Sequence, residues 1–413
     1  MKAERLHRMK KTLSVFAVVV MVAGACPASD VEDLATDNTR FALKLYKELN
    51  DGSGNLFISP YSISTAMAMA LGGARGETAR EMAEALEFTL KPDKEGGPLS
   101  SERLHAAFAG LQQSLRAAGG KGGVELSIAN ALWPHKEYSF RKDYLELIRR
   151  QYDSVGTALD YNSPDAARRL INRWVEGETR QKIKDLLPDG SIDSMTRMVL
   201  TNAIYFNGKW ATPFKKNNTQ KMPFKLASGK REFTWLMFQK SRFSYYGDAE
   251  VQLLEMPYTG KKVSMVVLLP RKVDGLASLE KNLSAAKLAG WLGKMRGTTV
   301  NTLFPKFKMT SNFNLSGNLQ DMGMKKAFGA ADFSGMDGSR ELFLSAVFHK
   351  AFVEVKEEGT EAAAATGGII ARRSLRPPSP PERFEADHPF MFLIRDKATG
   401  SILFLGRYAK PAS

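Results

Sequence analysis

Residues 200–210 read LTNAIYFNGKW, a run whose first half is rich in β-branched and aromatic residues. This composition over residues 198–205 predicts a β-strand. Further strand patterns lie on both sides of it, at residues 124–133, 233–246, 251–256, 263–269 and 390–394. Periodicity and capping signals predict helices at residues 31–49, 62–71, 77–86 and 165–179. Because strands and helices do not alternate as βαβ units, the sequence predicts the α+β class.

The composition is that of a globular protein, with 43% apolar and 25% charged residues among 413. The formal charge of +15 suggests nucleic-acid binding as a hypothesis. The first 25 residues hold five basic residues and one acidic residue, which leaves +11 for the remainder. Lys and Arg are spread there in ones and twos, without zinc-ligand spacing or an RNA-binding aromatic motif. We therefore expect a solvated basic surface and no nucleic-acid partner.

The N-terminus carries a targeting pattern. Basic residues up to Lys11 precede an apolar run over residues 13–25, which as a helix is about 20 Å long and too short to span a bilayer. This pattern predicts a signal peptide over residues 1–25. Cys26, the only cysteine, follows at once in a string that resembles a bacterial lipobox. Two alternatives stay open: lipidation of Cys26, or cleavage after Ala25 and release. Either places the mature chain outside the cytoplasm, as a secreted, periplasmic or lipid-anchored protein without internal disulfides.

Signatures of enzymes are missing from the sequence. It contains no G-x-S-x-G elbow, no phosphate-binding loop, no G-x-G-x-x-G and no H-E-x-x-H. The five histidines show no metal-ligand spacing. We therefore expect a protein without catalytic activity, cofactor or metal.

A long segment near the C-terminus combines two conformational preferences. Residues 353–384 read VEVKEEGTEAAAATGGIIARRSLRPPSPPERF. The first few alternate as a strand, and a loop of about 25 residues is far longer than the usual connection. Every second residue from Thr360 to Ile370 is small or apolar, while Glu361 is the only charge between Thr360 and Ala371. Such a segment tolerates both exposure and burial as a central strand, which is what a switch requires. A flexible linker is the alternative.

Five parts of the chain carry motifs of one family: residues 55–63, 171–175 followed by Thr179 and 184–187, 200–210, 387–395 and 404–407. Together they resemble the serpins, the loop-inserting serine protease inhibitors. The resemblance extends from about Val31 to Pro411. It implies one domain over residues 31–411, monomeric in its native state. The implied fold has a large mixed central sheet, smaller antiparallel sheets, eight or nine helices and an exposed reactive loop at about 357–384.

The resemblance implies inhibition of a trypsin-like protease by covalent trapping. The protease acylates a loop bond, and the loop then inserts as a new strand of the main sheet. Family spacing places that bond between Arg373 and Ser374, flanked by Arg372 and Leu375; cleavage after Arg372 is the alternative register. An arginine there pairs with the buried carboxylate of trypsin-like specificity pockets. The implied hinge of insertion consists of Gly359, Thr360, Glu361, Ala362, Ala363, Ala364 and Ala365.

Two further residue groups are implied by the resemblance to control opening of the sheet. The first, which we call the shutter cluster, is polar and lies beneath the sheet: Ser59, Ser62, Asn202 and His349. The second, the breach cluster, lies where the loop first enters: Trp210, Lys306 and Glu357. The resemblance predicts an ion pair between Lys306 and Glu357. From the sequence alone, each of these would be an ordinary core or surface residue.

Two other functions remain open at this stage. One is inhibition of arginine-specific cysteine proteases by the same trap. The other is a non-inhibitory serpin acting as a binding module, against which the small residues of the hinge argue. The segment 377–381 departs from the family pattern because it is longer and rich in proline.

Overall fold

The computed structural model describes residues 27–90, 102–118, 124–359 and 380–411. The predicted signal peptide, Cys26, the hinge beyond Gly359 and the reactive bond with its neighbours 372–375 lie outside the described residues. Among the described helices, none combines the length and the apolar character needed to cross a membrane.

Ten α-helices lie in the described ranges, slightly more than the eight or nine expected. The second of them begins at Pro60, two residues before the predicted start, since the Ser59 side chain accepts a hydrogen bond from the Ser62 N–H and Pro60 occupies the first turn. The helices are α1 (Ala28–Leu49), α2 (Pro60–Gly73), α3 (Gly76–Ala85), α4 (Glu102–Ala118), α5 (Lys142–Tyr152), α6 (Pro164–Glu178), α7 (Leu276–Asn282), α8 (Ala285–Lys294), α9 (Ser316–Asp321) and α10 (Ser334–Asp337).

Fourteen strands accompany the described helices, and they include every strand predicted from the sequence. They are β1 (Leu56–Ile58), β2 (Val124–Pro134), β3 (Val155–Gly156), β4 (Met198–Gly208), β5 (Thr219–Lys225), β6 (Arg231–Gly247), β7 (Val251–Pro257), β8 (Val263–Pro270), β9 (Arg296–Pro305), β10 (Phe307–Asn314), β11 (Ala346–Val355), β12 (Glu382–Glu385), β13 (Phe390–Asp396) and β14 (Ile402–Tyr408).

Five of the strands form a mixed sheet in the order β10-β11-β4-β2-β3. Its inner side contributes to the main hydrophobic core, together with the fully buried helix α2. Its outer side packs under α6 through a second, smaller core. The alternation of apolar side chains in β4 therefore fills two layers, because successive residues of a strand point to opposite sides.

The other nine strands form one sheet in the order β1-β14-β13-β8-β7-β6-β9-β12, with β5 paired to β6. The sequence analysis expected several smaller antiparallel sheets, whereas in the structure these strands join into one continuous sheet. The reason is β6, which spans 17 residues and pairs with β5, β7 and β9 along its length. Among the described strands of this sheet, one pair is parallel, and it joins β12 to β9. The α+β class and the mixed sheet agree with the sequence-based expectation.

Candidate functional site

The boundary between β4 and β11 is an unusual seam in the five-stranded sheet. The two strands are parallel and pair from Val199 with Ala346 to Tyr205 with Phe352. Beyond that point β4 continues to Gly208 against β2, and β11 continues to Val355 against β10. In the described part of the chain, these last three residues of each strand do not pair with each other. The seam is therefore closed along most of its length and open at one end.

The chain that leaves β11 is fastened across this open end. The Trp210 N–H donates to the carbonyl of Glu358 at 3.1 Å, and the Phe214 N–H donates to that of Glu357 at 2.8 Å. Lys356 and Gly359 exchange two backbone hydrogen bonds, of 3.0 and 3.1 Å, which close a tight turn. The hinge thus begins directly above the end of β4.

Gly359 is required by this fastening. Its φ is +107°, a conformation that L side chains rarely adopt. A Cβ there would lie 2.3 Å from the carbonyl oxygen of Gly208 and 2.5 Å from the backbone nitrogen of Trp210. Both contacts are with backbone, so no side-chain rotation relieves them. Only glycine lets the turn approach β4 this closely.

The structure brings the three breach residues together beside this turn. Trp210 is stacked on Tyr258 with ring centroids 4.5 Å apart, and its Nε1–H donates to the carbonyl of Lys356 at 3.0 Å. Lys306 Nζ lies 3.0 Å from a carboxylate oxygen of Glu357, and Thr219 Oγ1 donates to the same carboxylate at 2.9 Å. The predicted Lys306–Glu357 contact is therefore present.

The Glu357 carboxylate stays charged although it is buried. Burial alone raises its pKa, but hydrogen bonds from its own backbone N–H, Lys306 and Thr219 outweigh this and lower the pKa below its ordinary value. A charged carboxylate held by three donors ties the start of the loop to β5 and to the end of β9. Opening the breach requires breaking these contacts.

The four shutter residues also meet, on the inner side of the seam. His349 lies directly opposite Asn202 in the register of β11 and β4, with Nδ1 2.5 Å from Asn202 Oδ1. The Ser59 N–H donates to His349 Nε2 at 3.2 Å, and Asn202 Nδ2 donates to Ser62 Oγ. The Ser59 hydroxyl donates to the Leu403 carbonyl at 2.7 Å. The cluster therefore links both sides of the seam to α2 and to β14.

These contacts define the protonation state and the tautomer of His349. Because Nε2 accepts a backbone hydrogen bond and Asn202 Oδ1 can only accept, the imidazole is neutral with its proton on Nδ1. Burial lowers its pKa to about 3. The hydrogen bond from Nδ1 crosses the seam itself, so a strand cannot enter there until this bond breaks.

Asn130 on β2 belongs to the same cluster, although the sequence analysis missed it. Its Oδ1 accepts hydrogen bonds from Asn202 Nδ2 and from Ser62 Oγ, the latter at 3.4 Å. Asn130 lies opposite Asn202 in the pairing of β2 with β4. The available signal was a single asparagine within residues 128–134, the otherwise apolar second half of the strand, because a polar side chain there needs buried partners.

Residues 179–187 cross the outer side of the seam, and we call them the strap. Lys350 Nζ on β11 donates to the carbonyl of Lys184 at 2.6 Å. On the other side of the seam, Lys182 Nζ lies 5.7 Å from the ring centroid of Tyr205 on β4. Widening the seam moves these attachment points apart, so the strap must also shift before a strand can enter.

We expect the closed sheet to lose stability as the pH falls from 7.5 to 5. A solvated imidazole has a pKa of about 6.5, whereas that of buried His349 is about 3. Because the depressed group takes up its proton only on opening, acid favours the opened sheet below pH 6.5. The difference over this range is about 2 kcal/mol, or roughly thirtyfold more opening. Native gels of gently heated samples at constant ionic strength would show this as faster polymer formation.

Two variants identify the responsible histidine. His349→Ala should polymerise faster than the wild type at pH 7.5 and lose most of the pH dependence. His105 provides the control, since burial lowers its pKa to about 4 but it lies on α4 against Tyr152, away from the seam. His105→Phe should keep the wild-type pH dependence. An unchanged profile in His349→Ala would contradict the assignment.

In the ranges that the structure describes, no group of three or more His, Cys, Asp or Glu side chains could hold a metal ion. What the arrangement can do is mechanical: a parallel seam is held shut by one polar cluster beneath it, one at its open end and a strap above it.

Comparison with known proteins gives a consistent result. A family model described as "Serpin (serine protease inhibitor)" matches residues 36–411. The chain is 41% identical over 396 residues to the leukocyte elastase inhibitor of Equus caballus, covering 92% of this chain and 100% of that protein. It is 40% identical over 421 residues to plasminogen activator inhibitor 2 of Homo sapiens, with coverage of 92% and 100%. Uncleaved ovalbumin superimposes with a TM-score of 0.81 at 29% identity, covering 92% of this chain and 100% of ovalbumin.

Proposed function

Because the chain belongs to the serpin family of serine protease inhibitors, we propose that it inhibits trypsin-like proteases by trapping them covalently. In this proposal the protease attacks the bond after Arg373 and forms an ester with the loop. The freed hinge then enters the seam between β4 and β11 and carries the protease with it. Deacylation stalls because the transported active site is deformed.

The parallel seam is the observation that carries this proposal. The loop follows β11 directly, so a chain that turns back at residues 356–359 runs antiparallel to β11 and also to β4. One inserted strand would thus replace a single parallel ladder by two antiparallel ones, each slightly more stable per residue. The open end of the seam lies beneath Gly359, where insertion must begin.

The length and composition of the hinge fit this path. Fifteen extended residues from Gly359 to Arg373 span at most about 50 Å, whereas the 11 residues of β4 span about 36 Å. The inserted strand would direct alternate small residues from Thr360 onwards to the buried side. A charge on that side would cost several kcal/mol of desolvation. The sequence has none there before Arg372.

Specificity for trypsin-like proteases rests on Arg373, and the names of the relatives do not settle it. One relative is named an inhibitor of leukocyte elastase and another of plasminogen activators. Elastase-type pockets accept small side chains, whereas a pocket with a buried carboxylate accepts arginine. Cleavage after an arginine, as predicted at Arg373, therefore favours proteases of the trypsin-like class over those of the elastase class.

The test is incubation with trypsin, with an elastase and with an arginine-specific cysteine protease. We expect a complex with trypsin that survives denaturing electrophoresis, and a large rise in thermal stability of the cleaved inhibitor. A stable complex with the cysteine protease alone would support the cross-class alternative. Simple cleavage by trypsin, with neither a complex nor a gain in stability, would leave only the non-inhibitory binding module.

We further propose that the mature protein acts outside the cytoplasm, which rests on the signal-peptide pattern of residues 1–25. Expressed in a bacterium, the protein should be recovered as a chain beginning at Cys26. Intact-mass measurement distinguishes a lipidated from an unmodified Cys26. If Cys26 is lipidated, Cys26→Ser should move the protein from the membrane fraction to the soluble fraction. Recovery of the uncleaved chain in the cytoplasm would contradict the proposal.

A further inference from the structure

One side of β6, β9 and β12 forms an exposed sheet surface with an unusual composition, which we call the basic face. Its cross-strand rows follow from the pairing: Lys240 lies opposite Asn301 and Asn301 opposite Arg383. Phe238 and Glu385 belong to the next row, and Arg242 to the preceding one. On the opposite side of the same strands, Thr302 and Phe384 are fully buried. The outward side of a half-buried sheet is thus open to solvent.

The basic face carries a net positive charge, because two of its three basic side chains have no acidic partner in the part of the chain that the structure describes. Lys240 and Arg242 are exposed, and neither has a carboxylate within 4.0 Å among the described residues. Arg383 is paired with Glu385 at 2.6 Å. Between these charges Phe238 leaves 41% of its surface in water. Exposed aromatic and arginine side chains in one patch are the composition of protein interfaces, and the net positive charge fits an acidic partner.

The reactive loop ends at this surface. β12 begins at Glu382. Nine residues, 374–382, separate the predicted bond after Arg373 from Arg383, and fully extended they span at most about 30 Å. A protease domain of about 220 residues has a diameter of roughly 45 Å. A protease that engages the bond is therefore held close enough for its own surface to reach the basic face.

We propose that the basic face is a second docking surface for the engaged protease, and that it selects proteases with an acidic surface beside the active site. This inference rests on the proposed function, since it needs a protease on the loop. Lys240 and Arg242 attract the acidic surface during encounter, and Phe238 contacts it once docked. The loop sets the residue that is cleaved, while the basic face sets which of several arginine-specific proteases is captured fastest.

The experiment compares two trypsins of the same specificity, one with an acidic and one with a basic surface. The double variant Lys240→Glu/Arg242→Glu should lower the association rate constant with the acidic trypsin by about 10- to 100-fold at 50 mM salt. The effect should shrink to within about twofold at 1 M salt, where screening is nearly complete. The rate constant with the basic trypsin should stay the same or rise.

Lys221→Glu/Arg231→Glu is the matched control. Both residues are exposed in β5 and β6, and the change in charge is identical, but they lie on the other side of these strands. The control should change either rate constant by less than twofold. An equal loss of association rate in the control would show that only overall charge matters, and it would overturn the basic face as a site. An unchanged rate constant in Lys240→Glu/Arg242→Glu would overturn it as well.

The contact of Phe238 is tested separately with trypsin whose catalytic serine is replaced by alanine, so that only docking is measured. Phe238→Ser should weaken binding of the inactive acidic trypsin about fivefold, whereas Trp235→Ser, on the other side of β6 and 53% exposed, should not. Equal affinities for both variants and the wild type would overturn the contact. A wild type that forms no complex with either trypsin would instead refute the proposed function.

Discussion

Arg373→Ala is expected to abolish the inhibition of trypsin, lowering the association rate constant by about a thousandfold. The guanidinium of Arg373 would pair with a carboxylate in the specificity pocket that is desolvated on binding. Truncating one partner of such a pair typically costs 2–5 kcal/mol or more, since the other charge remains buried and unpaired. The rate constant is measured from the loss of trypsin activity with time at excess inhibitor.

The neighbouring arginine supplies the control for this prediction. Arg372→Ala should change the rate constant by less than tenfold, because its side chain lies one position away from the pocket. Mass spectrometry of the fragment released by trypsin should show a chain beginning at Ser374. If Arg372→Ala loses inhibition and Arg373→Ala keeps it, the bond lies one residue earlier. If both variants inhibit like the wild type, specificity for trypsin-like proteases is refuted.

Gly359→Val is expected to make the uncleaved protein convert spontaneously into a loop-inserted or polymerised form about a hundredfold faster. A Cβ at this position meets the backbone of Gly208 and Trp210, and the φ of +107° adds strain. Together these destabilise the fastened turn by about 3 kcal/mol. In an inserted strand the residue would be extended, where valine is well tolerated. The substitution thus raises the energy of the uninserted form alone.

Gly323 serves as a control that distinguishes the effect of the steric clash at residue 359 from the effect of the strained φ. Its φ is +111°, but no atom lies within 4 Å of its Cβ position. Gly323→Val should therefore lower the stability of the uncleaved and cleaved forms equally, without accelerating conversion. Native gels during incubation at 37 °C measure conversion, and denaturant unfolding of both forms measures stability. Equal conversion rates in the two variants would show that the close approach of Gly359 does not hold the loop.

The elements with strong local signals could be predicted from sequence. The start of α2 follows from Ser59 and Pro60, and β4, β7 and β8 follow from dense runs of apolar residues. By contrast, the middle of β9 is polar, with two threonines at 298–299 and an asparagine and a threonine at 301–302. Thr302 is nevertheless fully buried, and only its pairing with β6 and β12 explains why. Local patterns do not reveal strands whose burial depends on distant partners.

The candidate site shows the same limit. The resemblance singled out His349, Asn202 and Ser59, but an isolated histidine in a sequence does not disclose what it bonds. Its contact with Asn202 arises from parallel pairing between strands 147 residues apart. The membership of Asn130 in the shutter cluster follows from the register of β2 with β4, which places it opposite Asn202. Long-range register is the part of the site that a single sequence does not encode locally.

The hydrogen bond from Ser59 to Leu403 has a consequence for how the protein is made. Leu403 lies on β14, which pairs with β1, some 345 residues earlier in the chain. During synthesis β4 and β11 emerge first, and the hinge emerges before β14. The shutter cluster therefore lacks one of its anchors until almost the whole polypeptide has left the ribosome. If the hinge inserts as proposed, β14 must dock before the hinge reaches the seam in the newly made chain, and a chaperone that delays the hinge would then raise the yield of active inhibitor.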